Sequence, residues 1–484
     1  MTTRVSRLRR SWILAAALAV CGAGLHAGQQ PDRSKAPEIG PPPELHLPAI
    51  EKRTLSNGLP VWIVALHKVP VVHAELAIRS GTGADPAQKF GLASLTADML
   101  DEGAGSRTAL EIADAVDYLG ADLDTSSSSD ASYVDLHVPA ARLRDALPVM
   151  ADIVAHPTFP DAELKRLRDE RLTSLLQAED DPQQLVQFAF PRLVYGSMHR
   201  YGTASMGTAT SLRGFTRADL VSFHAAAYRP QNATLVVTGD VVVANVTPLL
   251  ESTLGQWKAN AAPAPAAPAD ARQLDARRVY LIDKPGAAQS QIRIGWIGVP
   301  RSTPDYFALR VLNTILGGAF TSRLNQNLRE AHGYAYGASS TFDMRRAAGP
   351  FFAAAGVQTD KTADALKEFF NELTRIHEPV DGEELEKAKN YLSLLLPRNF
   401  ETTRAAANAL AQIAVYDLPQ DFYETYGQRV RAVTAADVTR VANKYIQPTK
   451  FAVVIVGDRK VIEPGVRALK LGPVTIVEAA EVMK

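Results

Sequence analysis

Two stretches of this chain run through the same features in the same order, and that repetition constrains the fold more than any single motif. Thr216-Arg-Ala-Asp219 leads through Tyr228 and Pro230 to an apolar run closed by Gly239-Asp240. Thr434-Ala-Ala-Asp437 leads through Tyr445 and Pro448 to a similar run closed by Gly457-Asp458, an offset of 218 residues at both ends. In each copy the Thr marks a helix start, because an N-cap hydroxyl accepts from an N–H group that the first turn leaves free. A proline-marked exit and an apolar strand follow. At 484 residues the chain exceeds what one core supports. The expectation is an α+β protein of two duplicated domains, each a mainly antiparallel sheet packed with helices. Pro263, Pro265 and Pro268 lie in an Ala/Pro-rich stretch that disfavours helix and sheet. A linker over 259–275 therefore separates a domain at 49–258 from one at 276–484.

Within the first copy, Asn57-Gly58 marks a turn before a strand at Val61–Val64. Val72, Ala74, Leu76 and Ile78 alternate with His73, Glu75, Ala77 and Arg79, as in a half-buried strand. Val134, Leu136 and Val138 do the same, which puts His73 and His137 on the polar sides of their strands. Helical patterns fall at Gly91–Leu100, Ala109–Leu119 and Asp161–Gln177.

The N-terminus is of another kind. Arg4, Arg7, Arg9 and Arg10 precede an apolar run from Trp12 to Cys21, and no acid appears before Asp32. This predicts a secretory signal over 1–27, cut after Ala27, then a Pro-rich leader over 28–48 and a periplasmic protein. The run is short for a membrane span. Cys21 is the only cysteine, so the exported protein would have neither disulfide nor thiolate chemistry. Lipidation at Cys21 is disfavoured by the bulk of Val20, and Arg9-Arg10 is compatible with either Sec or twin-arginine export. The 52 basic residues balance 52 acidic ones, which gives no electrostatic reason to bind nucleic acid.

Ser94, Ala97 and Asp98 lie at i, i+3 and i+4 on the helix at Gly91–Leu100. That is the spacing of an H-x-x-E-H zinc helix, with two imidazoles and a general base on one face. Together with Asn57-Gly58-Leu59, Gly81-Thr82-Gly83, Gly91-Leu92-Ala93, Asp283-Lys284-Pro285-Gly286, Leu316-Gly317-Gly318 and Ser322-Arg323-Leu324, this resembles the insulinase/pitrilysin-like zinc metallopeptidases. The likeness is to the short type that includes mitochondrial processing peptidase, and it covers Leu55 to the C-terminus. The resemblance implies zinc-ligand positions at Ser94, Asp98 and Ser174, the last reached beyond Arg168-Asp169, and a base position at Ala97. None carries the family's residue. The ten histidines supply no replacement pair at helical spacing, so no cofactor is expected in this chain.

The family's Arg/Tyr motif is retained in Leu328-Arg329-Glu330-Ala331-His332-Gly333-Tyr334-Ala335-Tyr336. The resemblance implies that Arg329 binds substrate carbonyls and that Tyr336 stabilises an oxyanion at a zinc site held by a partner. The expectation is a noncatalytic subunit of a heterodimeric zinc metalloendopeptidase, acting on peptides or unfolded polypeptides beside a homologous zinc-bearing chain. The alternative is an inert peptide-binding or structural scaffold, in which Arg329 and Tyr336 merely pack. A hydrolase built on Ser94 and Asp98 is disfavoured, because no histidine stands near in sequence to activate the serine.

Overall fold

The computed structural model describes residues 48–258, 265–266 and 268–483. The expected signal segment, nearly all of the leader, Cys21 and residues 259–264 lie outside the described residues. None of the described helices is long and apolar enough to cross a membrane.

Two six-stranded sheets form. The first uses β1 (Glu51–Thr54), β2 (Pro60–Ala65), β3 (Val71–Ile78), β4 (Asp122–Ser127), β5 (Ser132–Pro139) and β6 (Ala233–Gly239), ordered β1-β2-β6-β3-β5-β4. The second uses β7 (Arg278–Asp283), β8 (Gln289–Ile297), β9 (Ala335–Phe342), β10 (Pro350–Gln358), β11 (Ala452–Gly457) and β12 (Val474–Val477), ordered β9-β10-β8-β11-β7-β12. Without β1 and β12 the two orders are the same permutation of their copies. In both, one inner pair is parallel (β2 with β6, β7 with β11) and the three pairings beyond it are antiparallel. The duplication read from the sequence is thus a duplication of topology.

The local signals act as expected. Thr216 and Thr434 each form a reciprocal capping box, with Asp219 and Asp437, at the starts of Arg217–Ala227 and Ala435–Tyr445. Gly58 turns with φ +85°, and the Leu55 N–H donates a 3.0 Å hydrogen bond to the Leu59 carbonyl to close the β1–β2 hairpin.

The expectation of a half-buried strand holds for β5, whose residues alternate between buried and half-buried, and is corrected for β3. All of β3 after Val71 is buried, His73 and Glu75 included. The cover comes from the opposite half. Of the helices α1 (Leu92–Asp98), α2 (Asp161–Asp180), α3 (Pro182–Tyr195) and α4 (Thr403–Val415), the last packs on β3 and β6 of the first sheet. In exchange α3, from the first half, packs on β8 and β11 of the second. Each sheet is therefore sandwiched between its own helices and one helix of the other half. Thr238 on β6 donates a 2.7 Å hydrogen bond to the carbonyl of Thr403, and the Asn408 amide donates to Glu75 at 2.6 Å. Buried Asp130, in the β4–β5 turn, adds a second tie. It accepts from Tyr201 Oη at 2.9 Å, from Tyr416 Oη at 3.0 Å and from the Arg346 N–H at 2.9 Å. The described part of the linker is held as well: Arg200 donates to the Ala266 carbonyl at 3.0 Å, and His199 lies 2.9 Å from that of Ala269.

Candidate functional site

Helix α1 lies against β4 and β5, on the face of the first sheet opposite α4. Its start is fixed by backbone crowding. Gly91 sits at φ +91°, and a Cβ there would come within 2.6 Å of the Gly207 backbone, so only glycine fits. The Gly91 and Ala93 N–H groups donate to the carboxylate of Asp85 at 2.6 and 2.7 Å. Burial outweighs those bonds and raises that carboxyl to about 7. Leu92, Leu95 and Met99 are buried, as their spacing predicts.

Ser94 and Asp98 face α2, where the structure supplies what the sequence did not suggest. Buried Arg171 donates to Ser94 Oγ at 2.9 Å and, from the same Nη2, to Asp98 Oδ2. Its Nη1 reaches the Met206 carbonyl at 3.5 Å. A guanidinium thus bridges the two positions at which the resemblance implies metal-binding imidazoles. Ala97 is fully buried and offers no proton acceptor. Ser174, one turn beyond Arg171, is exposed, and its hydroxyl donates to the Glu170 carbonyl at 3.0 Å. One hydroxyl, one carboxylate and a bound cation do not fit zinc, which takes imidazole, thiolate and carboxylate donors and repels positive charge. A signal for Arg171 was present in the sequence. It shares the α2 face that buries Leu164, Leu175 and Ala178, and an arginine on an apolar stripe calls for a partner.

The retained motif lies in the second half. Arg329 lies in a π-helical turn, Gln326–Ala331, and Tyr336 lies on β9, the edge strand whose counterpart is β4. Between Ala335 and Ala338 the β9 register slips by one residue against β10. Such a bulge re-aims a side chain, and Tyr336 stands out with 87% of its surface exposed. The Arg329 guanidinium lies 4.5 Å from the Phe320 ring centre and 5.2 Å from that of Tyr336, and it pairs with Glu330 at 3.2 Å. Phe320 is itself 60% exposed and was not singled out from the sequence. Tyr334 stacks on His332 instead, at 4.9 Å. Among the described residues no hydrogen bond, ion pair or ring contact joins the Arg329–Tyr336 group to the Ser94–Arg171–Asp98 group.

Residues 61–204 match the family described as Insulinase (Peptidase family M16), and residues 214–392 match the Peptidase M16 inactive domain. The chain belongs to the M16 peptidase family. Similar M16 relatives include a Mycobacterium leprae protein named an uncharacterized zinc protease, 27% identical over 65% of this chain and 71% of the relative. A Rickettsia felis protein with the same kind of name is 25% identical over 83% and 96%. Among solved structures, an M16 inactive domain from Pseudomonas fluorescens superposes with a TM-score of 0.78 at 26% identity, over 84% of this chain and 98% of that one. A Helicobacter pylori protease shares the fold, with a TM-score of 0.79 at 24% identity over 85% and 100%.

Proposed function

We propose that this M16 chain is the noncatalytic subunit of a heterodimeric zinc metalloendopeptidase, exported to the periplasm and paired with a homologous zinc-bearing chain. The observation that carries the proposal is the contrast between the two edges. At α1 the metal position is taken by Arg171, whereas at β9 Tyr336 projects into solvent with Arg329 behind it. An exposed phenol on a bulged edge strand could donate to a substrate carbonyl held elsewhere. Arg329 can donate from its forked nitrogens to peptide carbonyls. Tyr336 can donate one hydrogen bond to the oxygen that becomes negative as the peptide bond is attacked.

The test is reconstitution with a zinc-bearing homologue. The chain alone should show no chelator-sensitive peptidase activity, and the pair should show it. In the pair, Tyr336→Phe should lower kcat by about 10²–10³-fold, the usual cost of one oxyanion donor, with association unchanged. Arg329→Ala should act partly on KM, since carbonyl contacts also exist in the ground state. Unchanged turnover in both variants would favour the inert scaffold, and chelator-sensitive cleavage by the isolated chain would overturn the proposal.

A further inference from the structure

On the other face of the first sheet, under α4, four metal-competent side chains form a square. β3 carries His73 and Glu75 two residues apart, and β5 carries Asp135 and His137 likewise. The register sets Glu75 directly opposite Asp135 and His73 directly opposite His137. On an antiparallel pair such neighbours share one face and touch. His73 Nε2 lies 3.1 Å from Asp135 Oδ1 and 4.0 Å from Glu75 Oε2. One donor atom from each of these three residues falls within 4.8 Å of the others. The two imidazole rings are 5.8 Å apart.

We infer that His73, Glu75 and Asp135, with His137 beside them, form a divalent-metal site suited to zinc. Three arguments support this, all independent of the proposed function. Charge is the first: two carboxyl groups converge on a buried imidazole, burial and Asp135 push Glu75 up to about 9, and Arg404, whose charge opposes that rise, is engaged by Asp124 at 3.4 Å and Asp122 at 4.0 Å. A bound dication would hold both groups as carboxylates. The second is donor chemistry, since imidazole with carboxylates suits zinc and its first-row neighbours. The third is a spare donor: His137 Nδ1 is buried without a hydrogen-bond partner, on a ring whose centre lies 5.8 Å from that of His73. A nitrogen left over in this way is expected where part of the arrangement is incomplete. Ligand atoms about 2.0–2.2 Å from a zinc ion sit roughly 3.3 Å from one another, so rotamer adjustments of about 1 Å close the site. The sequence concealed it because the residues repeat at i, i+2 on two strands rather than at i, i+4 on one helix.

The probe is zinc added to the full chain after stripping with chelator. One equivalent should bind, and Tm should rise by about 3 °C at roughly a hundredfold excess over Kd. Glu75→Gln with Asp135→Asn, which keep shape, should weaken binding at least tenfold. Asp98→Asn should leave it unchanged. Cobalt soaked into the unmodified chain should give the visible absorption of a low-symmetry nitrogen- and oxygen-ligated ion, a readout that needs no variant to fold. A folded chain that takes up no zinc at micromolar concentration and gives no cobalt spectrum would overturn the inference. So would zinc that survives the Glu75/Asp135 changes and is lost in Asp98→Asn.

Discussion

If Arg171 fills the place of a metal, then restoring the family's ligands is not enough to restore the metal. Consider Ser94→His, Ala97→Glu, Asp98→His and Ser174→Glu made together, with Arg171 left in place. The guanidinium donates to Ser94 at 2.9 Å and to Asp98. A zinc ion held by side chains at those positions would sit roughly 4–5 Å from its charge. A dication and a monocation at about 5 Å repel by about 7 kcal/mol at an effective dielectric of 20 and by about 2 kcal/mol in bulk water. Asp98 is 39% exposed and Arg171 only 10%, so an intermediate figure of about 3 kcal/mol applies. That is roughly a hundredfold in affinity. The quadruple variant also strands a buried cation without its carboxylate, which should lower Tm. Adding Arg171→Val should tighten zinc binding about a hundredfold and recover the lost stability. The assay is competition against a fluorescent chelator, in a Glu75→Gln, Asp135→Asn background that silences the β3–β5 cluster, with thermal unfolding in parallel. Equal zinc affinity with and without Arg171 would refute the reasoning.

Three further outcomes are expected. Arg323 grips Glu384 through two bonds of 2.8 and 2.6 Å, and Arg323→Lys should cost about 1–2 kcal/mol by thermal unfolding, because an ammonium cannot make both. Asp305 would be raised by burial, but Tyr445, Lys444 and Arg440 outweigh that and hold it at about 2. With a folded value below its ordinary 3.8, its contribution is present above that pH and is lost as pH falls toward 2. The Tm gap between the parent and Asp305→Asn should therefore be full at pH 6 and shrink in acid. Asp130→Ala, which strands two phenols and the Arg346 N–H, should destabilise by about 2–4 kcal/mol, and unfolding should remain a single transition because both halves lose a tie.

What the sequence disclosed was local. The Thr216 and Thr434 caps, the Asn57-Gly58 turn and the Leu92–Leu95–Met99 stripe each depend on residues within one or two turns, and each is where the pattern put it. Ser94, Ala97 and Asp98 likewise fall on a helix, as their spacing predicts. What escaped was set by distant partners. His73 and Glu75 alternate with apolar residues and so resemble a wet strand face. They are dry because a helix beginning at Thr403, more than three hundred residues later, lies on them. No periodicity encodes which helix will cover a strand. Arg171 was legible only as an anomaly on an apolar stripe, and the bulge that turns Tyr336 outward depends on pairing with β10, which the local sequence does not determine.

The crossing of α3 and α4 between the halves also sets a timetable. A chain made from its N-terminus completes the first sheet at Gly239 but must wait for Thr403–Val415 before that sheet has its second cover. At about 5–20 residues per second, the interval is roughly ten to thirty seconds of synthesis. During it, Val64, Ala77, Ala131 and Val236, destined for the other half's core, lie open on a sheet with strand edges to spare. A gene split at the linker would leave each product with an uncovered sheet, so the two fragments should be soluble together and aggregate when made apart. A newborn chain carries that apolar sheet face uncovered across the same interval.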